Sequence, residues 1–445
     1  MFEPLYTAAE MRAAEERYPR FPASAPELME RAGAAVAQEV LNGFPDARRF
    51  AVVCGDGANG GDGRIAAREL RAAGRDAVET SAVEQADVIV DALFGTGFHG
   101  EPRTEAAALI ERINSARGSV VAVDLPSGVD ASTGEAAGAA VRADVTVTFH
   151  GCKLGLVVAP GRFHAGEVVI VDIGLDDSET EAALVTSAIL DLVPRKQEQD
   201  NKYSAGSVLI VGGAPGLTGA VCLAAEAAFR ADAGYVAVAV PEASLPIVET
   251  KLLEPVKLTW AAAFEAAGKA GAVAVGPGLG RTDEAKAIVG RILSELEQPV
   301  VLDADALHEL EPGGWRPPVV LTPHAGELGR LIGESSDWVS AHRLEAVRRA
   351  ADRFGCVCLL KGADTIVAAP GARTLVCPID APALATAGTG DVLTGVLAAY
   401  LAKGLEPRLA AAAAAMATAE AARRVPYGTG LVASDIVAAL PHLRV

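Results

Sequence analysis

The chain has 445 residues, of which 51% are hydrophobic and 4% aromatic, and its formal net charge is −18. A chain of this length exceeds one ordinary hydrophobic core, so two domains are expected. The acidic charge argues against nucleic acid and against an anionic membrane surface as partners, because both would repel the protein.

Alternating strands and helices are predicted for the first half. A helix is predicted within residues 25–40, followed by a strand at 50–54, a glycine-rich loop and a helix over 64–73. Further strands are predicted at residues 87–93, 119–125, 144–149 and 167–173. Each is short, rich in Val and Ile, and bounded by Gly, Pro or Asp, as buried parallel strands are.

A polar, proline-marked segment at 190–203 interrupts this alternation and is interpreted as a domain edge. We therefore predict domains at residues 1–195 and 196–445. In the second domain, strands are predicted at 207–211, 235–240, 271–275, 299–302, 318–321, 356–360 and 374–377, and helices at 218–231, 283–296 and 341–354, before two long alanine-rich helices. Both halves are thus predicted to be doubly wound α/β domains, which bind ligands at the carboxyl ends of their strands.

The six cysteines are expected to be reduced core residues, because none forms a Cys-x-x-Cys pair and most lie in apolar runs. The chain begins Met-Phe-Glu-Pro, without the basic and apolar regions of a signal peptide, and no apolar stretch suits a membrane span. We therefore expect a cytoplasmic protein without a membrane partner.

The glycine-rich segment 54–63 follows a predicted strand. Gly55, Gly57 and Gly60 formally satisfy the GxGxxG pattern, so a hydride-transferring oxidoreductase has to be considered. That fingerprint arises by chance in glycine-rich chains and does not require the polar run at 59–62. The segment also predicts a loop that binds phosphate through backbone N–H groups.

Oxygen-bearing side chains follow three predicted strands of the first half, namely Asn59, Asp91 and the pair Asp124 and Ser127. Each alone fits an ordinary turn. Three at one sheet edge favour a site, and oxygen ligands suit a hard cation.

Four motifs of the first half together resemble NAD(P)H-hydrate epimerase over residues 1–190. They are Leu28-Met-Glu-Arg-Ala-Gly33, Asn59-Gly-Gly-Asp-Gly63, Asp91-Ala-Leu-Phe-Gly-Thr-Gly97 and Asp124-Leu-Pro-Ser-Gly128. The resemblance implies a potassium ion (K⁺) held by Asn59, Asp91 and Ser127. It implies that the hydrated dinucleotide is bound by Asp124 and by Ala58, Asn59, Gly60, Gly61, Asp62, Gly95, Thr96, Gly97, Phe98, His99, Gly100 and Glu101.

Two positions of this half need separate treatment. Ala58 stands where the family usually has Asn, so only a backbone contact is expected there. Lys153 also matches the family, and it is interpreted either as a surface cation or as a phosphate contact. Asp124 is our candidate for the acid–base group of epimerisation, because the hydroxyl-bearing carbon needs proton transfer.

Polar or glycine-rich loops also follow the strands of the second half, and the last of them, Gly388-Thr-Gly-Asp391, precedes an apolar helical run. Free N–H groups at a helix start form an anion-binding site, and a carboxylate beside it suggests a general base for phosphoryl transfer. A plain turn with an N-capping aspartate is the alternative.

The second half resembles the ribokinase-like superfamily. Within it, Thr322-Pro-His-Ala-Gly-Glu327 and Lys361-Gly-Ala-Asp-Thr365 are more similar to ADP-dependent NAD(P)H-hydrate dehydratase than to a sugar or vitamin kinase. The resemblance implies nucleotide contacts from Lys361, Gly362, Ala363, Asp364, Thr365 and Gly390. It implies contacts to the hydrated dinucleotide from Ala220, Gly278, His324 and Asp391.

The two resemblances imply one activity, repair of hydrated NADH and NADPH. The first domain would interconvert the R and S hydrates. The second would dehydrate the S form, consuming ADP (or ATP) with Mg²⁺ while Asp391 acts as the base. A homo-oligomer is expected. The alternatives are a ribokinase-type small-molecule kinase fused to a dinucleotide-binding module, a non-enzymatic dinucleotide sensor, and the oxidoreductase.

Overall fold

The computed structural model describes residues 1–444 and divides into two compact units. One unit comprises residues 4–183 with 340–342. The other comprises residues 1–3, 184–339 and 343 to the end of the described chain. The predicted boundary between residues 195 and 196 stays a prediction.

The elements of the first half are β1 (Phe2–Leu5), α1 (Ala8–Arg17), α2 (Ala25–Gly43), β2 (Arg49–Cys54), α3 (Ala58–Ala72), β3 (Asp76–Glu79), β4 (Val88–Ala92), α4 (Thr104–Ser115), β5 (Ser119–Val123), β6 (Val145–Phe149) and β7 (Glu167–Val171). Strands β3-β2-β4-β5-β6-β7 form one sheet in that order, and every pair in it is parallel. The strand order reverses beside β2, so the crevice for a ligand opens at the carboxyl ends of β2 and β4.

Helix α3 begins at Ala58, six residues before its predicted start, so most of the predicted glycine loop is the first helical turn. Gly57 is the extended N-cap residue, and a Cβ on Gly60 would lie 1.9 Å from the carbonyl oxygen of Gly55. The glycines therefore allow the helix to start tightly against the end of β2. Their presence indicates close packing here, and it was wrongly taken to predict a loop.

The elements of the second half are β8 (Ala182–Val185), β9 (Ser207–Val211), α5 (Thr218–Arg230), β10 (Tyr235–Val240), α6 (Leu245–Lys251), β11 (Val256–Thr259), α7 (Ala263–Ala267), β12 (Ala272–Val275), α8 (Asp283–Glu295), β13 (Val300–Leu302), β14 (Val319–Leu321), α9 (Ala325–Ile332), α10 (Ser336–Ala341), α11 (Arg343–Phe354), β15 (Val357–Leu360), β16 (Asp364–Ala368), β17 (Thr374–Pro378), α12 (Thr389–Ala402), α13 (Pro407–Arg424) and α14 (Ala433–Ala439). They build a sheet of order β1-β8-β17-β16-β15-β14-β13-β12-β9-β10-β11. Here the strand order reverses beside β9.

Strand β16 was not predicted, and it forms antiparallel pairs with β15 and β17 in an otherwise parallel run from β11 to β15. The reason is the length of the connection. Only three residues join β15 to β16, and a turn this short can connect antiparallel neighbours but not parallel ones. The predicted nucleotide loop at 361–365 is therefore a tight hairpin turn whose last two residues begin a strand.

The two alanine-rich helices form the centre of the second unit. All residues of α12 from Val392 to Leu401 are buried, as are those of α13 from Ala410 to Ala419. A helix that is apolar on every side needs neighbours on every side, and alanine lets those neighbours approach closely. Among the described residues, no helix combines the length and apolarity needed to cross a membrane. The doubly wound α/β prediction is confirmed for both halves.

Candidate functional site

The first polar cluster lies at the carboxyl ends of β4 and β5. Asp91, in β4, is fully buried, and its Oδ1 accepts a hydrogen bond of 2.7 Å from the Ser127 hydroxyl. Its Oδ2 accepts the Ser127 N–H at 2.8 Å. Burial raises the pKa of Asp91 to about 6, although the bonds from Ser127 oppose this shift.

Asn59 joins this cluster from the first turn of α3. Its Nδ2 donates to the Phe94 carbonyl oxygen at 2.8 Å, and the Ser127 hydroxyl accepts from the Phe94 N–H at 2.8 Å. The structure thus brings Asn59, Asp91 and Ser127 into one network of carboxylate, hydroxyl and carbonyl oxygens. Such a donor set fits a hard cation.

Asp124 begins the turn after β5 with a left-handed backbone (φ +67°), a conformation rare for residues other than glycine. Its Oδ1 lies 2.8 Å from the ammonium group of Lys153 and accepts a bond of 3.1 Å from the Thr148 hydroxyl. Lys153 also donates to the Phe149 carbonyl oxygen at 2.7 Å, and 1% of its side chain is exposed. Lys153 is therefore a buried partner of Asp124, and the interpretation as a surface cation was wrong.

A cavity of about 760 Å³ opens above these residues. The predicted substrate residues that line it are Ala58, Asn59, Asp62, Gly95, Thr96, Gly97, Phe98, His99 and Asp124. The other four predicted residues, Gly60, Gly61, Gly100 and Glu101, are not among its lining residues. Gly61 instead faces Met29, whose sulfur lies 2.6 Å from the position of an added Cβ.

Sequence reasoning missed part of the cavity wall. Helix α1 contributes Met11, Arg12 and Glu15, although neither the helix nor its acidic residue was singled out. The available signal was helical spacing, because residues 8, 11, 12 and 15 fall on one face.

Ionisable groups in this cavity perturb one another. Burial raises the pKa of Asp62 to about 8, and the nearby Asp124 and Glu15 carboxylates add to the shift. Burial and Asp124 likewise raise the pKa of Glu15, while Lys153 and Arg12 oppose the shift. Strongly perturbed carboxyl groups in a cleft are typical of catalytic sites.

The second polar cluster is centred on Asp303, which follows β13 and is 1% exposed. Its Oδ1 accepts bonds from Lys361 Nζ at 2.8 Å and from the Thr322 hydroxyl at 2.9 Å. Its Oδ2 accepts the Thr394 hydroxyl at 2.7 Å. Asp303 thus ties together the ends of three strands and helix α12, a role that the sequence did not reveal because each partner is distant along the chain.

Asp391 lies in the first turn of α12, three residues after the N-cap Gly388. Burial and the Asp303 carboxylate raise its pKa to about 7, although Lys361 opposes the shift. A Cβ on Gly390 would lie 3.5 Å from Lys361 Nζ. The arrangement therefore places a titrating carboxyl and a buried ammonium at a helix N-terminus, where backbone amides favour an anion.

The remaining residues predicted for this site differ in what their side chains do. Asp364 is 1% exposed and forms an ion pair of 2.8 Å with Arg343, so its carboxylate is occupied inside the fold. The Thr365 hydroxyl donates to the Gly362 carbonyl at 2.9 Å and closes the hairpin turn. The backbone of 361–365 is therefore what remains for a ligand.

His324 is the N-cap residue of α9. Its Nδ1 accepts the N–H of Gly326 at 3.0 Å, and its own N–H donates to Glu327 at 2.9 Å. These bonds fix the ring orientation while 57% of the side chain stays exposed. Gly278 and Ala220 flank the reversal point beside β9. Gly278 accepts the Ala214 N–H at 2.7 Å, and Ala220 lies in the first turn of α5.

Comparisons with known proteins agree with both sites. A family model described as NAD(P)H-hydrate dehydratase matches residues 208–441, and one described as YjeF-related protein N-terminus matches residues 25–85 and 71–155. A bifunctional NAD(P)H-hydrate repair enzyme of Moorella thermoacetica is 36% identical over 512 residues, covering 99% of this chain and 96% of that protein.

Solved structures resemble the second half. The ADP/ATP-dependent NAD(P)H-hydrate dehydratase of Bacillus subtilis, co-crystallised with ATP and Mg²⁺, superposes with a TM-score of 0.54 at 28% identity, covering 58% of this chain and 96% of that one. A ribokinase-like superfamily protein of Enterococcus faecalis gives 0.52 at 22% identity, covering 60% and 96%, which supports the fold alone. The resemblances seen in the motifs are confirmed, and the chain belongs to the family of bifunctional NAD(P)H-hydrate repair enzymes.

Proposed function

We propose that this protein repairs hydrated NADH and NADPH in two steps on two domains, residues 1–195 and 196–445. The first domain interconverts the R and S hydrates. The second dehydrates the S hydrate to NADH or NADPH while ADP is converted to AMP and phosphate. The observation that carries the proposal is Asp391, a carboxyl group with a pKa near neutrality at the N-terminus of α12 beside Lys361.

The dehydration chemistry follows from this geometry. The hydrate carries a hydroxyl group at C6 of the nicotinamide ring, and hydroxide is a poor leaving group. Asp391 takes the hydroxyl proton, and the oxygen attacks the β-phosphorus of ADP, which releases AMP. Phosphate then leaves C6, and loss of a ring proton restores the C5=C6 double bond. The first-turn amides of α12 stabilise the charge that develops on the phosphoryl group.

The proposed nucleotide site consists of the hairpin turn at 361–365 and Gly390. Because Arg343 occupies the Asp364 carboxylate, we expect the turn to bind phosphates through backbone N–H groups and the Lys361 ammonium. Mg²⁺, present with ATP in the Bacillus subtilis relative, would neutralise phosphate charge there. ADP is proposed as the donor, and comparing ADP with ATP in the dehydration assay tests this preference.

The proposed dinucleotide contacts in the second domain are Asp391, Gly278, Ala220 and His324. They come from loops on the β12 and β9 side of Asp303, whereas the nucleotide turn follows β15. The two ligands would therefore approach Asp391 from opposite sides, as phosphoryl transfer between them requires.

In the first domain, we propose Asp124 as an acid–base group and the 760 Å³ cavity as the place where the nicotinamide end of the hydrate binds. The loop residues listed above would hold the dinucleotide, with Ala58 contributing its backbone. The cavity volume supports this assignment, since it falls within the range of small-molecule and cofactor pockets.

We propose that K⁺ is held by Asn59, Asp91 and Ser127. The hydrogen bonds to the buried Asp91 carboxylate come from neutral donors, so a monovalent cation would neutralise its charge. The ion would fix the turn that carries Ser127 and, three residues earlier, Asp124. The test is a potassium titration of the interconversion rate after dialysis into choline chloride, with Ser127→Ala expected to weaken the potassium response.

One assay separates the proposed function from its alternatives. The full chain is incubated with mixed R and S hydrates of NADH, with and without ADP, and regenerated NADH is followed by its absorbance. Full recovery only with ADP supports both activities. Recovery of the S fraction alone would remove the epimerase. Accumulation of a stable phosphorylated product from an alcohol, with no NADH formed, would favour the small-molecule kinase.

A further inference from the structure

Helix α1 places one carboxyl group in the first cavity that the proposed site has not used. Ala8, Met11, Arg12 and Glu15 line the cavity from one face of this helix. On the neighbouring positions Met11 and Ala14 are buried, at 3% and 2% exposure, so the helix is packed against the core and is not loosely attached. Glu15 is half-buried beside them, whereas the next residue, Glu16, is exposed.

The position of α1 is fixed from its N-terminal end by the same segment that carries Lys153. Tyr6 donates its N–H to the Cys152 carbonyl at 2.9 Å and accepts the Leu154 N–H at 3.0 Å. Tyr6 is fully buried, and Thr7 caps the helix through a reciprocal bond with Glu10. The backbone that positions Lys153 therefore also positions the helix that carries Glu15.

Glu15 lies in a defined electrostatic environment. Asp124, Asp62 and Lys153 interact with it from the strand ends and from α3, and Arg12 and Glu16 from its own helix. Burial and the Asp124 charge raise the pKa of Glu15, which extends the pH range in which it carries a proton. Asp124, in contrast, already accepts bonds from Lys153 and Thr148. The two carboxyl groups thus enter one cavity from different elements and with different partners.

We propose that Glu15 is a second catalytic acid–base group of the epimerase, paired with Asp124 across the nicotinamide ring. This inference rests on the proposed function of the first domain. Epimerisation needs two groups because the hydroxyl leaves from one face of C6 and oxygen returns on the other. A single carboxyl group cannot serve both faces of a bound ring.

The step balances with water as its only co-reactant. Glu15 gives its proton to the C6 hydroxyl, the C6–O bond breaks with loss of water, and the ring nitrogen lone pair forms a C6=N1 iminium. A water molecule then adds to the opposite face of C6 and gives its proton to Asp124. The reverse reaction uses the same groups in the opposite order, and exchange with solvent resets their protons.

The test uses the full chain carrying Glu15→Gln, with the exposed neighbour change Glu16→Gln as the matched control. The substrate is the purified R hydrate of NADH with excess ADP and Mg²⁺, so that NADH appears only after conversion to the S form. We expect Glu15→Gln to lower kcat for this conversion on the order of 10²–10⁴-fold with little change in KM. Dehydration of the purified S hydrate by the same sample should stay unchanged, as should both rates in Glu16→Gln.

Two further readouts separate catalysis from structure. The wild-type conversion rate should fall as pH rises through the pKa of Glu15, because the acid form is lost, and this limb should be missing in Glu15→Gln. Glu15→Asp, which keeps the carboxyl group, should recover part of the rate. Conversion by Glu15→Gln within twofold of wild type, or an unchanged pH limb, would overturn the proposal. Failure of the wild type to convert the R hydrate would instead reject the proposed epimerase itself.

Discussion

The ammonium group of Lys153 lies 2.8 Å from the Asp124 carboxylate, with 1% of the lysine and 10% of the aspartate side chain exposed. A pair this deeply buried is maintained by mutual charge neutralisation, and removing one member leaves the other charge without compensation. The pair also joins the left-handed turn after β5 to the segment after β6, so its effect on structure extends beyond the two side chains.

Lys153→Met should therefore destabilise the first unit by about 3–5 kcal/mol and abolish R/S interconversion. Hydrogen exchange of the β5 and β6 amides measures the local loss of stability directly. The control is Lys269→Met, whose ammonium pairs with Glu265 at 3.5 Å on the surface and is 72% exposed. That change should cost less than about 1 kcal/mol. Equal protection of β5 and β6 in the two variants would contradict the prediction.

Asp391→Asn should lower the dehydration rate on the order of 10²–10⁴-fold, because the hydroxyl proton loses its acceptor. A base is active when ionised, so the wild-type rate should rise with pH through about 7, the pKa of Asp391, and level off above it. The variant should show a low rate without this rise. R/S interconversion by the same protein provides the internal control, and a dehydration rate equal to wild type would reject Asp391 as the base.

Asp62→Asn should change how stability depends on pH. The pKa of Asp62 is raised from 3.8 to about 8 in the folded protein, so its stabilising contribution is complete below pH 4 and is lost as pH rises to 8. The ligand-free variant should match wild type near pH 4 and exceed it above pH 8 by up to several kcal/mol, since each pKa unit corresponds to about 1.4 kcal/mol.

Chemical denaturation of both proteins across this pH range measures the difference. Asp56→Asn, at an exposed position of the same β2–α3 connection, is the matched control and should show no such trend. A constant difference between Asp62→Asn and wild type from pH 4 to pH 9 would show that Asp62 titrates near its usual value.

Two glycines of the second unit should respond oppositely to alanine. Gly276 has φ +126°, and an added Cβ would lie 1.7 Å from the Asp303 carbonyl oxygen. Gly276→Ala should cost about 2–6 kcal/mol from backbone strain and overpacking, and should reduce dehydration by displacing Asp303. Gly290, within α8, has no atom within 4 Å of an added Cβ, so Gly290→Ala should stabilise by about 0.5–1 kcal/mol. Thermal unfolding of both variants provides the comparison.

The strands of both sheets were predictable because buried parallel strands leave a strong local signal. Strands β9 and β10 match their predicted bounds, and β2 differs by one residue. Short edge strands such as β3, with one buried residue of four, lack that signal. Helix α1 was missed for a related reason, since only one face of a ten-residue helix is buried and its polar residues dominate the sequence.

The sequence by itself determined the two α/β domains and the family, because strand periodicity and the glycine and aspartate motifs are local properties of the chain. It also indicated that Asn59, Asp91 and Ser127 would meet, since strand ends share one sheet edge. Only the tertiary structure decided which charges pair. Lys361 contacts Asp303 from 58 residues away, and Thr394 from 91.

Glu15 enters the first cavity through the packing of α1, and Lys153 reaches Asp124 through the strand that follows β5 in space. Strand order and helix packing bring such residues together, and neither is encoded in the spacing of any one motif. The physical reason is that burial makes each ionisable group depend on whichever partner the fold supplies.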